Sequence, residues 1–196
     1  MKRICSYLIS ATILLAACNN KKSKEITIPT GDGDGKVTID VNQAARNAEE
    51  IQKRTEELGK LTPLTTEQLK SLLPETLMGA KRSDYNVANA MGYGMATAKY
   101  KINDSTDLEL SINDCAGTAG AGFYTMQLGM YNFEQDNERE YTKTISYGGG
   151  KAYEHCEKTR NECSLTWFAG DRYMVVLQGD NVNADGLKSA GKELKF

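Results

Sequence analysis

KAYEHCEKTRNECSLTWFAGDRYMVVLQ, residues 151–178, reads as three consecutive strands joined by short connections. Lys158-Thr159-Arg160-Asn161 is a polar loop between Lys151–Cys156 and Cys163–Phe168, and Gly170-Asp171 supplies the turn into Tyr173–Gln178. A four-residue loop sets Glu157 opposite Glu162 and Cys156 opposite Cys163. Tyr173-Met174-Val175-Val176-Leu177 is apolar at successive positions, so both faces of that strand are covered and it belongs in the middle of a sheet.

Working outward, the same texture recurs. Tyr141–Tyr147 reads as a strand that ends at the glycine turn 148–150, while Ala96–Ile102 and Leu108–Ile112 flank a polar hairpin loop at 103–107. Leu108, Leu110 and Ile112 alternate with Glu109, Ser111 and Asn113, which leaves one face wet. Between the two groups of strands, small residues from Ala116 to Gly122 lead into a helix bearing Phe123, Met126, Met130 and Phe133. The three glycines there lack the Gly-Lys-Ser/Thr ending of a phosphate loop, and close packing of a helix on a sheet accounts for them. Thr65 and Gln68 form a capping box for a helix through Leu69, Leu72 and Leu73 that stops before Pro74. Leu187, Ala190 and Leu194 mark a C-terminal helix capped at Asn183 or Asp185. The prediction is an α+β, sandwich-like domain, with an antiparallel sheet of about six strands packed by helices, over residues 61–196.

Upstream the composition changes. Ala44, Ala48, Ile51, Thr55 and Leu58 make a narrow apolar stripe, which predicts an amphipathic helix over 42–60 resting loosely on the domain. Residues 18–41 read as a flexible tether, with Gly31-Asp32-Gly33-Asp34-Gly35 as a turn between short strands at Ile26–Ile28 and Lys36–Val41. A calcium loop is excluded there, because the twelfth position holds Gln43 where a glutamate is needed. At the start, Lys2 and Arg3 precede an apolar run from Ile4 to Ala17 that is too short to span a bilayer. The run ends in Leu15-Ala16-Ala17-Cys18, which is similar to the bacterial lipobox. Residues 1–17 are therefore predicted to be a lipoprotein signal peptide, with Cys18 the lipidated first residue of the mature protein. Asn19 after that cysteine implies an outer-membrane, periplasm-facing location in the cell envelope, by resemblance to well-studied lipoproteins.

Of five cysteines, Cys115, Cys156 and Cys163 remain beyond Cys5 and Cys18, and three thiols allow three single pairings. The cross-strand register favours a Cys156–Cys163 disulfide, suited to an oxidising compartment. Lysine and arginine total 24 against 26 acidic residues, with no basic stripe, so nucleic acid is excluded as a partner. The single histidine, His155, lies on the opposite strand face from Cys156, which separates base from nucleophile. Glu134, Asp136, Glu138 and Glu140 beside Arg139 read as solvated surface, and no residue set has metal-ligand spacing. Asp114, Asp171 and Arg172 are the candidate polar site, with no catalytic residue and no cofactor assigned.

Leu69-Lys70-x-Leu72-Leu73-Pro74-x-x-Leu77-x-Gly79-x-x-Arg82, Ala96-x-Ala98-x-Tyr100, Leu108-x-Leu110-x-Ile112-x-Asp114 and Gly170-Asp171-Arg172-Tyr173-Met174-Val175, closing at Leu187-Lys188, resemble a group of small bacterial envelope proteins. The resemblance covers about residues 61–196, and the order of strands and helices is similar to PsbP-like α/β sandwiches. It implies a binding or assembly module, and brings no catalytic residue with it. The Cys156/Cys163 pair departs from that pattern. The functional expectation is a monomeric, membrane-anchored binding module for an envelope protein or a small ligand. An envelope hydrolase with an unrecognised site is the alternative.

Substitution of Cys18 by serine is expected to abolish metabolic labelling with fatty acid and to leave an unprocessed or soluble precursor. Unchanged labelling of the variant contradicts the lipobox reading.

Overall fold

The computed structural model describes residues 25–29, 36–90, 92–128 and 134–196, with side-chain surroundings from residue 48 onward except at 90. The predicted signal segment, Cys18, the Gly-Asp turn, Met130 and Phe133 lie outside the described residues. The chain divides into two compact units, Met1–Ala48 and Glu49–Phe196. In the first, β1 (Glu25–Pro29) pairs antiparallel with β2 (Lys36–Asp40), with Ile26 opposite Ile39 and Ile28 opposite Val37. The helix α1 (Val41–Lys60) follows directly.

The second unit is built on one antiparallel sheet of nine strands. β3 (Thr76–Leu77), β4 (Ala80–Ala90), β5 (Tyr93–Asn103) and β6 (Thr106–Asp114) follow one another across it. β7 (Gln135–Asp136), β8 (Glu140–Tyr147), β9 (Gly150–Glu157), β10 (Glu162–Ala169) and β11 (Tyr173–Asp180) return from the far edge, so that β11 closes against β6. The order β3-β4-β5-β6-β11-β10-β9-β8-β7 is thus two meanders laid side by side, and the connection that carries α3 (Gly117–Leu128) crosses from one to the far edge of the other. α2 (Thr66–Ser71) and α4 (Ala184–Glu193) complete the unit.

All six strands expected from periodicity are present, and the expectation of about six is corrected to nine by β3, β4 and β7. Two of the additions are only two residues long. The third, β4, has the sequence AKRSDYNVANA, and most of its described residues are exposed, so it carries no alternating apolar signal. Short edge strands also limit the row of unpaired backbone groups available to another chain.

Alternation along β11 feeds two separate cores. Val175 and Leu177 pack with Ile112, Leu110, Leu165 and Trp167 and with the helical residues Leu69, Leu187 and Ala190. Met174, the neighbour of Val175 and therefore on the other face, packs with Leu58, Cys115, Ala121 and Tyr124. Met174 and Val175 are both 0% exposed, which is the doubly covered central strand expected from the sequence. Small residues at the start of α3 serve close approach, since a Cβ at Gly120 would lie 2.6 Å from the Asp114 carbonyl oxygen. Tyr124 rather than Met126 faces the core, for Met126 is 66% exposed.

α1 does not rest loosely on this unit. The compact unit begins at Glu49, before the boundary at residue 61 that composition alone suggests. Leu58 is 1% exposed, Thr55 Oγ1 lies 3.0 Å from Thr125 Oγ1 on α3, and Arg54 Nη2 lies 3.1 Å from Asp171 Oδ1. Leu58→Ala is expected to destabilise the protein by about 3 kcal/mol in denaturant unfolding, the usual cost of emptying a buried leucine site. A loss under about 0.5 kcal/mol, typical of a surface position, contradicts the docking of this helix.

Candidate functional site

Asp114 and Arg172 meet; Asp171 does not join them. Asp114 ends β6 and is fully buried, while Arg172 lies in the turn between β10 and β11. Asp114 Oδ1 accepts from Arg172 Nε at 2.8 Å and from the Ala116 N–H at 3.1 Å. Oδ2 accepts from Arg172 Nη2 at 3.0 Å and from the Leu64 N–H at 2.8 Å. A carboxylate offers about four acceptor positions, so this one is full. Arg172 Nη2 also donates to the Thr62 carbonyl at 2.7 Å, and the Arg172 carbonyl accepts from the Cys115 N–H at 3.0 Å. The pair ties the segment before α2, the start of α3 and the β10–β11 turn to one point. Asp171 takes a positive φ of 54° in that turn, and its side chain is 79% exposed and pairs with Arg54.

A second buried carboxylate, Glu154, escaped sequence reasoning. Its position on β9 shares parity with Ala152 and Cys156, both buried, and that parity was the available signal. Its partners come from distant parts of the chain. Lys143 Nζ on the neighbouring strand stands 3.0 Å from Oε1, and Tyr141 donates its hydroxyl to the same oxygen at 2.9 Å. Lys188 Nζ, from α4, meets Oε2 at 2.8 Å. Burial pushes the Glu154 acid up, but Lys188, Lys143 and Tyr141 together hold it below the ordinary glutamate value. The same carboxylate raises Lys188 above the usual lysine value. Burial first, and Glu154 second, push the Tyr141 phenol up to about 12. Tyr147 adds a hydroxyl donation to the Lys188 carbonyl at 2.9 Å, so α4 is held by polar bonds as well as by Leu187 and Ala190.

The cysteines behave as structure. Cys156 is bridged to Cys163 with a Cα–Cα distance of 4.1 Å, in the predicted register of Cys156 opposite Cys163 and Glu157 opposite Glu162. Cys115 is free and 0% exposed, and burial pushes its thiol up to about 12, which keeps it protonated and unreactive at neutral pH. His155 Nδ1 lies 2.9 Å from Thr142 Oγ1, on the face of β9 opposite the disulfide.

The face of β8–β11 turned away from α4 carries polar rows. Thr144, Tyr153, Thr166 and Val176 align in one row and are half-buried; Thr142, His155, Ser164 and Gln178 align in the next. At the end of the sheet the register brings Glu140, Glu157, Glu162, Asp180 and Asp107 into line on adjacent strands. Like charges directly opposite weaken strand pairing. Arg160 offsets part of that by bonding Glu157 and lying 3.7 Å from Glu162. A shallow groove of about 590 Å³ beside this line is walled by Asn137, Glu138, Arg139, Glu140 and Glu157. Among the described residues no three His, Cys, Asp or Glu side chains are grouped to hold a metal ion, and no helix is long and apolar enough to cross a membrane.

No protein-family model, no curated protein and no solved structure matches this chain.

Glu154→Gln is expected to lower stability at neutral pH by about 1–3 kcal/mol, the cost of disturbing a buried, charge-assisted hydrogen-bond set. Because the folded-state acid lies below its unfolded value, the carboxylate's contribution is complete above the ordinary glutamate range and fades as pH falls through and below it. Unfolding measured from neutral to strongly acidic pH should therefore show the gap between wild type and variant narrowing. A constant gap would assign the effect to shape and not to charge.

Proposed function

We propose that this chain is a membrane-anchored, periplasm-facing lipoprotein of the bacterial envelope whose folded unit is a non-catalytic binding or assembly module. The observation that carries this reading is how the buried chemistry is spent. Asp114 has its acceptor positions filled by Arg172 and two backbone N–H groups, and Glu154 is clamped by two lysines and a tyrosine. A general acid or base needs a free position within hydrogen-bond reach of a substrate. Asp114 has none left, and Glu154, whose Oε2 meets Lys188 as an ion pair but accepts no hydrogen bond, is only 1% exposed and so closed to a substrate. The buried Cys115 thiol is held in its protonated form, which is the wrong form for a nucleophile.

Recognition is then left to the surface. The residues Tyr153, Thr166, His155 and Ser164 offer hydroxyl and imidazole groups on a regular, half-buried strand face, the kind of surface on which a partner meets several donors and acceptors at once. The charged n-region, the short apolar run and Leu15-Ala16-Ala17-Cys18 support the anchor. Two or three acyl chains, at about 0.8 kcal/mol for each buried methylene, hold a domain at the membrane essentially permanently.

Photocrosslinking residues placed at Tyr153 and at Thr166 in the native envelope test this. A discrete adduct from both positions, absent when the crosslinker stands at the exposed Lys192 on α4, is the expected result. Failure of both strand positions to give an adduct overturns the reading.

A further inference from the structure

Three side chains that the proposed function leaves unused converge at the corner between α2 and β4. Lys70 Nζ stands 4.7 Å from the centre of the Tyr85 ring, and Arg82 Cζ stands 5.1 Å from the same centre. Each is set in place by a separate feature. The capping box of Thr65 and Gln68 fixes the start of α2, and Leu69, 0% exposed, seats so closely on β5 that a Cβ at Gly94 would lie 2.9 Å from it. Lys70 is the next residue along that helix. Arg82 Nη1 donates to the Leu73 carbonyl just beyond α2 at 2.7 Å, which immobilises the guanidinium and leaves Nε and Nη2 without a partner among the described residues.

Tyr85 joins them because of a bulge. Residues three apart on a regular strand point to opposite faces. The register shift between Arg82 and Asp84 inserts one residue, so that Arg82 pairs with Tyr100 and Tyr85 with Ala98, and both of those partners belong to the same buried cluster. Bulges of this kind re-aim side chains and recur beside functional sites. The result is one exposed ring, 44% accessible, with two cations against it.

The corner is also out of electrostatic balance. No ion pair among the described residues includes Lys70, Lys81 or Arg82. Asp84, two residues from Arg82, is turned to the Tyr85 backbone N–H at 2.8 Å. Neither Glu67, three residues before Lys70, nor Glu75, whose carbonyl accepts from the Arg82 N–H, forms an ion pair with the two cations. The adjacent Lys70 ammonium lowers the Tyr85 phenol below the ordinary tyrosine value.

We infer that this corner is an oxyanion site that takes a phosphate group. A tetrahedral phosphate reaches several donors at once; a free phosphate supplies up to two negative charges to the two cations, and a phosphodiester headgroup supplies one, shared by two oxygens that can meet both cations. Arg82 presents its remaining N–H groups as one side of a fork, Lys70 acts as a mobile point charge, and the Tyr85 hydroxyl adds a donor. The phosphate belongs either to a phospholipid headgroup or to a free phosphate, and the site does not depend on the state of Cys18.

Calorimetric titration of the intact protein with inorganic phosphate at low ionic strength tests the site. Saturable binding is expected, weakened about tenfold by Lys70→Gln, which removes one charge-assisted hydrogen bond and no bond that holds the fold. Tyr85→Phe should weaken it less, and an unchanged unfolding midpoint in both variants separates binding from folding. Cosedimentation with phosphatidylglycerol vesicles, against phosphatidylcholine vesicles at equal ionic strength, identifies the source. Lys70-dependent binding to the anionic vesicles assigns a lipid headgroup, and phosphate binding without vesicle binding assigns a soluble phosphate. No saturable phosphate binding, or equal affinity in Lys70→Gln, overturns the proposal.

Discussion

Asp114 sits where the two meanders of the sheet meet, at the end of β6 and opposite Tyr173 at the start of β11. Removing a carboxylate from water costs several kcal/mol, and the cost is offset only when opposite charge and hydrogen-bond donors surround it. Arg172 supplies the charge and two donors; Leu64 and Ala116 supply the others. The geometry is demanding, so each donor segment is confined. The chain before α2 is drawn to the sheet, α3 starts where it must to bring Gly120 against the Asp114 carbonyl, and the β10–β11 turn is pinned through both the side chain and the carbonyl of Arg172.

The rest of the unit is arranged around that junction. With β6 and β11 fixed side by side, successive residues of β11 fill two cores, one roofed by α2 and α4 and the other by α1 and α3. Away from the junction the sheet is held by different means. Glu154 and its lysines fasten α4 over β9, and the Cys156–Cys163 bridge closes the hairpin next to the Glu157/Glu162 pair of like charges. Closing so short a ring contributes about 2–2.5 kcal/mol on the chain-entropy model, more than the tenths to 1 kcal/mol usual for a single cross-strand pair.

What the sequence disclosed follows the same physics. Strong alternation or continuous apolarity marked β5, β6 and β8–β11, and loop length alone set the Cys156–Cys163 register. β4 was hidden because it flanks the sheet and most of its described side chains are exposed, so no core demand shaped its pattern. The docking of α1 leaves little pattern because, among its described residues, Leu58 alone is buried. In the candidate site, Asp114 and Arg172 are legible as unusual polar residues at strand ends, but their direct pairing joins positions 58 residues apart and leaves no local trace. Asp171 was grouped with them by adjacency, whereas its positive φ turns it toward Arg54. Glu154 was missed because Lys188 and Lys143 reach it only once α4 and β8 are in place. The bulge that turns Tyr85 toward Lys70 and Arg82 has no signature in the residues around it.

The central claim is that the buried polar chemistry of this domain serves its architecture, with Asp114 and Arg172 acting as one unit. A double-mutant cycle with Asp114→Ala, Arg172→Ala and the double variant, read by equilibrium denaturant unfolding, tests it most directly. Residues in contact within one buried network couple by about 0.5–3 kcal/mol, and a coupling near the top of that range is predicted here, with the double variant little worse than Asp114→Ala alone. Additive losses, with a coupling near zero, would contradict the account.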